Sequence, residues 1–413
     1  MKTLATGLVF LFLYTGVWAQ RDCRTAEYEQ QQLLADPSLA QKMLAAMNHS
    51  LNLPSSTSDY RVTHESVIKI PVVVHVLYNN SNENISMEQI QSQLDALNRD
   101  FRKKNADIIN IPEHFAAFAA DIQIEFELAK VDPKGRATTG VIRKYTPVTS
   151  WAMNDNIKFT EAAGSNAWDA GSYLNIWVGN LSNLLGYASV IGGPAEKDGV
   201  VIATKAFGTI NTSAPFNLGR TAVHEVGHWL GLKHIWGDAY CGDDMVDDTP
   251  QQRAFTSGCP TGVRVTCGSA NGDMYMNYMD FTNDACMYLF THGQKDRMRS
   301  LLSPGGFRHS LLASHALGEP WIEEIPVEEQ QPAWMQVKLF PNPATSNLTI
   351  DMQYDARWIG KELQVINMQG QILIRKIIQS KTMNLDIHQL QPGLYFIKAE
   401  KEGERMMQKF VKQ

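Results

Sequence analysis

Cysteine and histidine are scarce in this 413-residue chain, at five and 11 residues, and no two cysteines stand as a C-x-x-C pair. That absence removes the usual ligand spacing of a closed structural zinc site. Positive charge is not in excess either: the formal net charge is −6, so composition gives no reason to expect nucleic acid or an anionic membrane as a partner. Beyond the N-terminal stretch, no apolar run approaches the roughly 20 residues that span a bilayer. No long-period repeat is visible, which argues against a solenoid or propeller. What is present is 44% hydrophobic residues in a chain long enough for two or three domains, an ordinary folded composition.

The chain begins MKTLATGLVFLFLYTGVWAQ. Lys2 precedes an apolar run of roughly a dozen residues, too short for a membrane span, and VWA ends on the small residue that a signal peptidase requires. Residues 1–19 are read as a signal peptide and the mature chain as exported, where disulfides are permitted. Residues 20–60 are rich in Gln, Leu and Ala with helix-like spacing and close in the polar stretch SLNLPSSTSDY. They read as a pro-segment with an exposed joint near Tyr60 and Arg61.

The segment VIKIPVVVHVLY (67–78) is a continuous β-branched run that suits a buried strand. In SMEQIQSQLDALNRDFRKKN, Ile90, Leu94, Leu97 and Phe101 recur at three- and four-residue steps, an amphipathic helix with Ser86 as cap and Gln89 three residues later. IQIEFELAKV alternates as a strand, YLNIWVGNL does so more loosely, and LGYASVI reads as a strand beside a cleft. Residues 61–317 are therefore expected to form a mixed α/β (α+β) domain split by a cleft. Residues 318–336 collect Pro, Glu and Gln as a linker, and 337–413 carry short alternating strands at near-regular spacing, a small all-β sandwich.

Candidate chemistry concentrates in TAVHEVGHWLGLKHIWGD (221–238). At about 3.6 residues per turn, His224 and His228 leave one helix face a turn apart, within reach of one metal ion. Gly231 allows the helix to stop in a left-handed turn, and the chain returns with His234. Three neutral imidazoles leave a zinc ion an open position, the arrangement of a catalytic site. Zinc lowers the pKa of a bound water to about 7, and Glu225 is placed to take its proton and later hand it to a leaving amine. The competing reading, a buried helix with incidental histidines, does not account for the complete H-E-x-x-H-x-x-G-x-x-H string in a chain so poor in histidine.

Cys241, Cys259, Cys267 and Cys286 cluster around this motif in a loop-rich region. An even set in an exported chain reads as two disulfides, with three connectivities open and a second structural zinc as the rival. Cys23 is left over.

With MYMNYMDFTNDACMYLF (274–290) supplying a downstream Met-turn, residues from about 67 to 310 resemble a pappalysin-type metzincin of the bacterial secreted branch. HEVGHWLGLKH, NYMDFTNDACM, GDDMVDDTP and DGVVIATKAFG carry the likeness. FPNPATSNLTI and GLYFIKAEKEGERMMQKFVK resemble the sorting domain of the type IX secretion system, which implies outer-membrane secretion machinery as a partner and a secreted or cell-surface location.

The resemblance implies a secreted zinc endopeptidase acting on protein or peptide substrates, with His224, His228 and His234 as zinc ligands, Glu225 as general base and acid, and Met279 as the Met-turn residue. It further implies disulfides Cys241–Cys267 and Cys259–Cys286, and structural calcium held through Asp244, Asp247 and Thr249, a solvated acidic turn being the plainer alternative. Asp284 matches the acidic residue of the primed-side specificity pocket, so cleavage on the amino side of Arg or Lys is expected; a loop aspartate is the alternative. Cys23 is expected to close the zinc site in a latent precursor, with Arg21 and Arg24 favouring the thiolate, an intermolecular thiol being its other use. One departure stands out. Phe281 occupies the position where relatives usually carry a tyrosine, leaving Tyr278, Tyr288 or the metal to support a developing oxyanion. The rival class is a non-catalytic surface or adhesion protein that keeps a metzincin shell.

Overall fold

The computed structural model describes residues 23–51, 66–322, 337–352, 358–401 and 404–413. The expected signal peptide, Arg21, the Tyr60–Arg61 joint and most of the linker lie outside these residues.

Strand β1 (Ile68–Tyr78) is buried at every position but Lys69, because both faces of a mostly parallel sheet are covered. It pairs in parallel with β2 (Ile124–Leu128) and then β3 (Val141–Tyr145) along one edge, and with β4 (Leu174–Gly179) along the other. Periodicity had not marked β3, whose five residues are all half-buried. Strand β6 (Val200–Ala203) continues the parallel order, and β5 (Gly186–Ala188) closes the sheet as an antiparallel edge strand.

Two helices within the expected pro-segment, α1 (Thr25–Ala35) and α2 (Leu39–Leu51), precede this sheet. Helix α3 (Met87–Phe101) turns Ile90, Leu94, Leu97 and Phe101 into the core. Its cap is Ser86, whose hydroxyl accepts from Gln89 N at 3.1 Å. The reciprocal half of a capping box is missing, since the Gln89 amide donates to Phe207 O instead. All ten residues of α4 (Arg220–Trp229) are buried. Gly231, at φ 90°, turns the chain out of the helix where other residues would be strained. A Cβ there would stand 3.0 Å from Leu301 Cδ1. Helix α5 (His292–Ser300) carries a complete capping box between Thr291 and Gln294 and packs against α2.

The C-terminal residues form two antiparallel sheets, one of four strands and one of three. Leu348, Ile350, Leu363, Val365, Ile397 and Phe410 share one core between them, which is the sandwich expected of alternating strands. Among the described residues no helix is long and apolar enough to cross a membrane.

Candidate active site

His224 and His228 leave α4 one turn apart, and the turn at Gly231 brings His234 back to meet them. Nε2 of His228 lies 3.1 Å from Nε2 of His224 and 3.1 Å from Nε2 of His234. The outward nitrogens all face acceptors. His224 Nδ1 is 2.6 Å from Tyr278 O, His228 Nδ1 2.9 Å from Leu232 O, and His234 Nδ1 2.5 Å from Asp238 Oδ1. Each acceptor fixes the proton on Nδ1 and leaves a lone pair on Nε2. Three lone pairs converging in a buried space repel one another unless a cation lies between them, so the donor set fits zinc. Burial, with His234 beside it, pulls the His228 pKa down to about 3, which keeps the ring neutral.

Cys23 stands over this centre, with Sγ 3.6 Å from His228 Nε2. Among the described residues, Cys23 and the three histidines are the one group of three or more His, Cys, Asp or Glu side chains placed to share an ion. Of the two arginines expected to favour a Cys23 thiolate, Arg21 lies outside the described residues. Arg24 is exposed, and burial followed by Glu225 pushes the thiol pKa up when no ion is beside it.

Glu225 is fully buried next to the imidazoles. Its room comes from Gly186 of β5, where a Cβ would stand 2.9 Å from Glu225 Cγ and 3.1 Å from Oε1. Sequence reasoning missed what meets the carboxylate in this state. Thr25 Oγ1 donates to Glu225 Oε2 at 2.9 Å and accepts from Ala188 N at 2.9 Å, while Arg24 N donates to Gly186 O at 3.3 Å. Residues 23–25 therefore lie along the edge strand and meet the Glu225 carboxylate as well as the histidine cluster. Asp238 was missed too, although its position four residues after His234 was a signal. Despite burial, the His234 ring holds its carboxyl below the usual range.

Met279 is fully buried, and its Sδ would lie 2.6 Å from a Cβ on Gly227 of α4. The Met-turn thus packs against the helix where a side chain is absent. Phe281 stacks edge-on to His234, with centroids 4.8 Å apart, and also meets Trp236 and Phe255. The two tyrosines considered as its replacement do not serve. The Tyr278 ring is buried between Phe290 and the Arg220 guanidinium, and its hydroxyl has Asp100 and Arg220 for neighbours. Tyr288 is directed toward Asp107 and Asn110.

Asp284 is fully buried, and its Oδ2 accepts from Leu218 N at 2.8 Å and Arg220 N at 3.3 Å. The Arg220 guanidinium holds the Asp284 carbonyl at 2.6 Å and pairs with Asp100 and Asp107. Cys241 is bonded to Cys267 and Cys259 to Cys286, and the second bond ties the loop before the Met-turn to the segment after it.

In the acidic turn, Thr249 Oγ1 lies 2.8 and 2.9 Å from the two Asp244 oxygens and 2.7 Å from Val246 O, whereas Asp247 is exposed. Burial raises the Asp244 pKa to about 7. A buried carboxylate among hydroxyl and carbonyl oxygens offers the donor chemistry of a hard cation.

Comparison with known proteins adds to this geometry. Residues 158–303 match the family described as pregnancy-associated plasma protein-A, and residues 338–413 match a secretion system C-terminal sorting domain. An extracellular metalloprotease of Verticillium alfalfae is 33% identical over 254 residues, which cover 58% of this chain and 77% of that protein. One of Pyricularia oryzae is also 33% identical over 254 residues, covering 58% and 76%. Among solved structures, Tannerella forsythia mature mirolysin in complex with a cleaved peptide aligns at 48% identity and TM-score 0.60, covering 62% of this chain and 99% of that one. A Tannerella forsythia promirolysin mutant aligns at 44% identity and TM-score 0.66, covering 73% and 100%.

Proposed function

The chain belongs to the pappalysin family of secreted zinc metallopeptidases, and on that premise we propose that it is an endopeptidase made as a latent precursor, cutting on the amino side of Arg or Lys. The observation that carries this reading is the convergence of three Nε2 lone pairs beside Glu225 with the Cys23 thiol across them.

His224, His228 and His234 would hold the zinc, which when bound polarises a scissile carbonyl and acidifies water. Glu225 accepts the proton of the attacking water and delivers it to the departing amine. Asp238, Tyr278 O and Leu232 O keep the imidazoles in the tautomer that can bind a cation. The edge strand β5 offers Ala188 N–H and Gly186 C=O to an extended peptide, the groups that Thr25 and Arg24 occupy in the precursor. Asp284 supplies the negative charge for a basic residue after the scissile bond, its carboxylate held in place by two backbone amides.

Cys23 closes the metal site before maturation, and calcium bound through Asp244, Asp247 and Thr249 braces the loop that leads into the Met-turn. Residues 1–19 direct export, 20–60 are removed, 61–317 catalyse, and 337–413, joined by 318–336, engage the secretion machinery. The test is release of peptides from casein or gelatin by the processed enzyme, abolished by a chelator and by Glu225→Ala with zinc content retained. Wild-type turnover in Glu225→Ala would remove Glu225 from the acid–base role.

A further inference from the structure

Beside His228, between the pro-segment helices and the body of the protein, lies a cavity of about 250 Å³. Met43 and Met47 of α2 lie on one side, and Val190, Ile191 and Leu301 give the other side its apolar part, with Lys233, Asp238 and Arg297 also on the lining. Gly231 lies between Ile191 and Leu301, where a Cβ would meet Leu301 Cδ1 at 3.0 Å and Ile191 Cδ1 at 3.3 Å. When the pro-segment leaves, the methionine wall leaves with it. A groove with an apolar floor at Val190, Ile191 and Leu301 and a charged rim then opens at the edge of the metal centre, continuous with the strand that a peptide must extend. Unfilled, that surface is unfavourable in water.

We propose that this groove is a specificity subsite for a large apolar side chain, of the Leu or Met class, within the four residues on the amino side of the scissile bond. Which side of the bond it serves rests on the assignment of Asp284 above. Asp284 N donates to Pro215 O at 3.0 Å, and Pro215 and Phe216 share a hollow with Leu184 and Leu185, just before β5. Val190 and Ile191 come just after β5. The two features therefore stand at opposite ends of a strand whose first residue, Gly186, abuts Glu225. A peptide crosses Glu225 once, so if the residue after the bond sits at the Asp284 end, the residues before it lie along the groove. In the precursor this space is faced by methionine, an unbranched side chain that adapts to irregular apolar surroundings.

The test is a cleavage-site profile of the zinc-loaded, processed enzyme on a proteome-derived peptide mixture, followed by kcat/KM for matched peptides carrying Leu, Met, Ser or Asp at the enriched position. Leu and Met should exceed Ser and Asp by about tenfold or more. In Ile191→Asp, and more mildly in Ile191→Ser, that ratio should fall toward one, while the ratio of Arg to Leu after the bond is kept. No apolar enrichment on the amino side, enrichment only on the carboxyl side, or enrichment that survives both variants would each overturn the proposal. Loss of the Arg and Lys preference in the wild type would overturn the Asp284 assignment and with it the argument for the side of the bond, while the Ile191-dependent ratio still reads whether the groove selects an apolar residue.

Discussion

Replacing Thr25 by valine keeps the shape of the side chain and deletes its hydroxyl, which in the precursor donates to Glu225 Oε2 at 2.9 Å and accepts from Ala188 N at 2.9 Å. A hydrogen bond to an ionised group contributes about 1.5–3 kcal/mol and one between neutral groups about 0.5–1.5 kcal/mol. Together they stabilise the closed pro-segment by about 2–4.5 kcal/mol, and each 1.4 kcal/mol is about a tenfold change in an equilibrium. Thr25→Val should therefore raise the open fraction of the precursor by about 30- to 1,600-fold, short of saturation. The assay is the initial rate of peptide cleavage by purified, uncleaved precursor, alongside the half-time of its self-processing. Thr25→Ser, which keeps the hydroxyl, should stay close to wild type, and the processed enzymes should be indistinguishable because residue 25 has gone. A Thr25→Val precursor as silent as wild type, or a Thr25→Ser precursor equally leaky, would refute the role of the hydroxyl.

Cys23→Ser should shorten latency more than Thr25→Val, because a neutral hydroxyl is a much weaker zinc ligand than a thiolate; unchanged self-processing would place inhibition elsewhere in the pro-segment. Asp284→Asn keeps an acceptor for Leu218 N and removes the charge, so it should lose most of the preference for Arg or Lys over Leu or Met with zinc content intact, as judged by kcat/KM on matched peptides. Equal losses on both substrate classes would make Asp284 a purely structural residue. The alanine variant is a poorer test, since it strands two buried amides at a cost of about 1–3 kcal/mol each. For Asp244, burial lifts the pKa from 3.8 to about 7, so the folded state favours the protonated carboxyl. That contribution is full below about pH 4 and is lost as pH rises through 7. Calcium-free protein should accordingly lose thermal stability over this window, and added calcium should raise Tm more at pH 8 than at pH 5. An equal calcium effect at both pH values would count against Asp244 as a ligand.

Helical periodicity carries information over one or two turns, and within that range the sequence was sufficient. The spacing of His224 and His228, the stop at Gly231, the cap at Ser86 and the buried face of α3 all follow from 3.6 residues per turn and local sterics. The apolar run of β1 likewise reads as a strand covered on both sides. Contacts between segments far apart in the chain have no such local signal. Nothing near Thr25 announces that its hydroxyl meets Glu225. That Gly186 is small because Glu225 needs the space, that Gly227 is small because Met279 lies against it, and that Tyr278 faces Arg220 are all set by packing among α4, β5 and the Met-turn. Four cysteines read by themselves left three pairings open, and only their positions in the folded loops bring Cys241 to Cys267 and Cys259 to Cys286. The local code specifies which groups one helix can offer to a metal; the close packing of distant segments decides what else is brought against them.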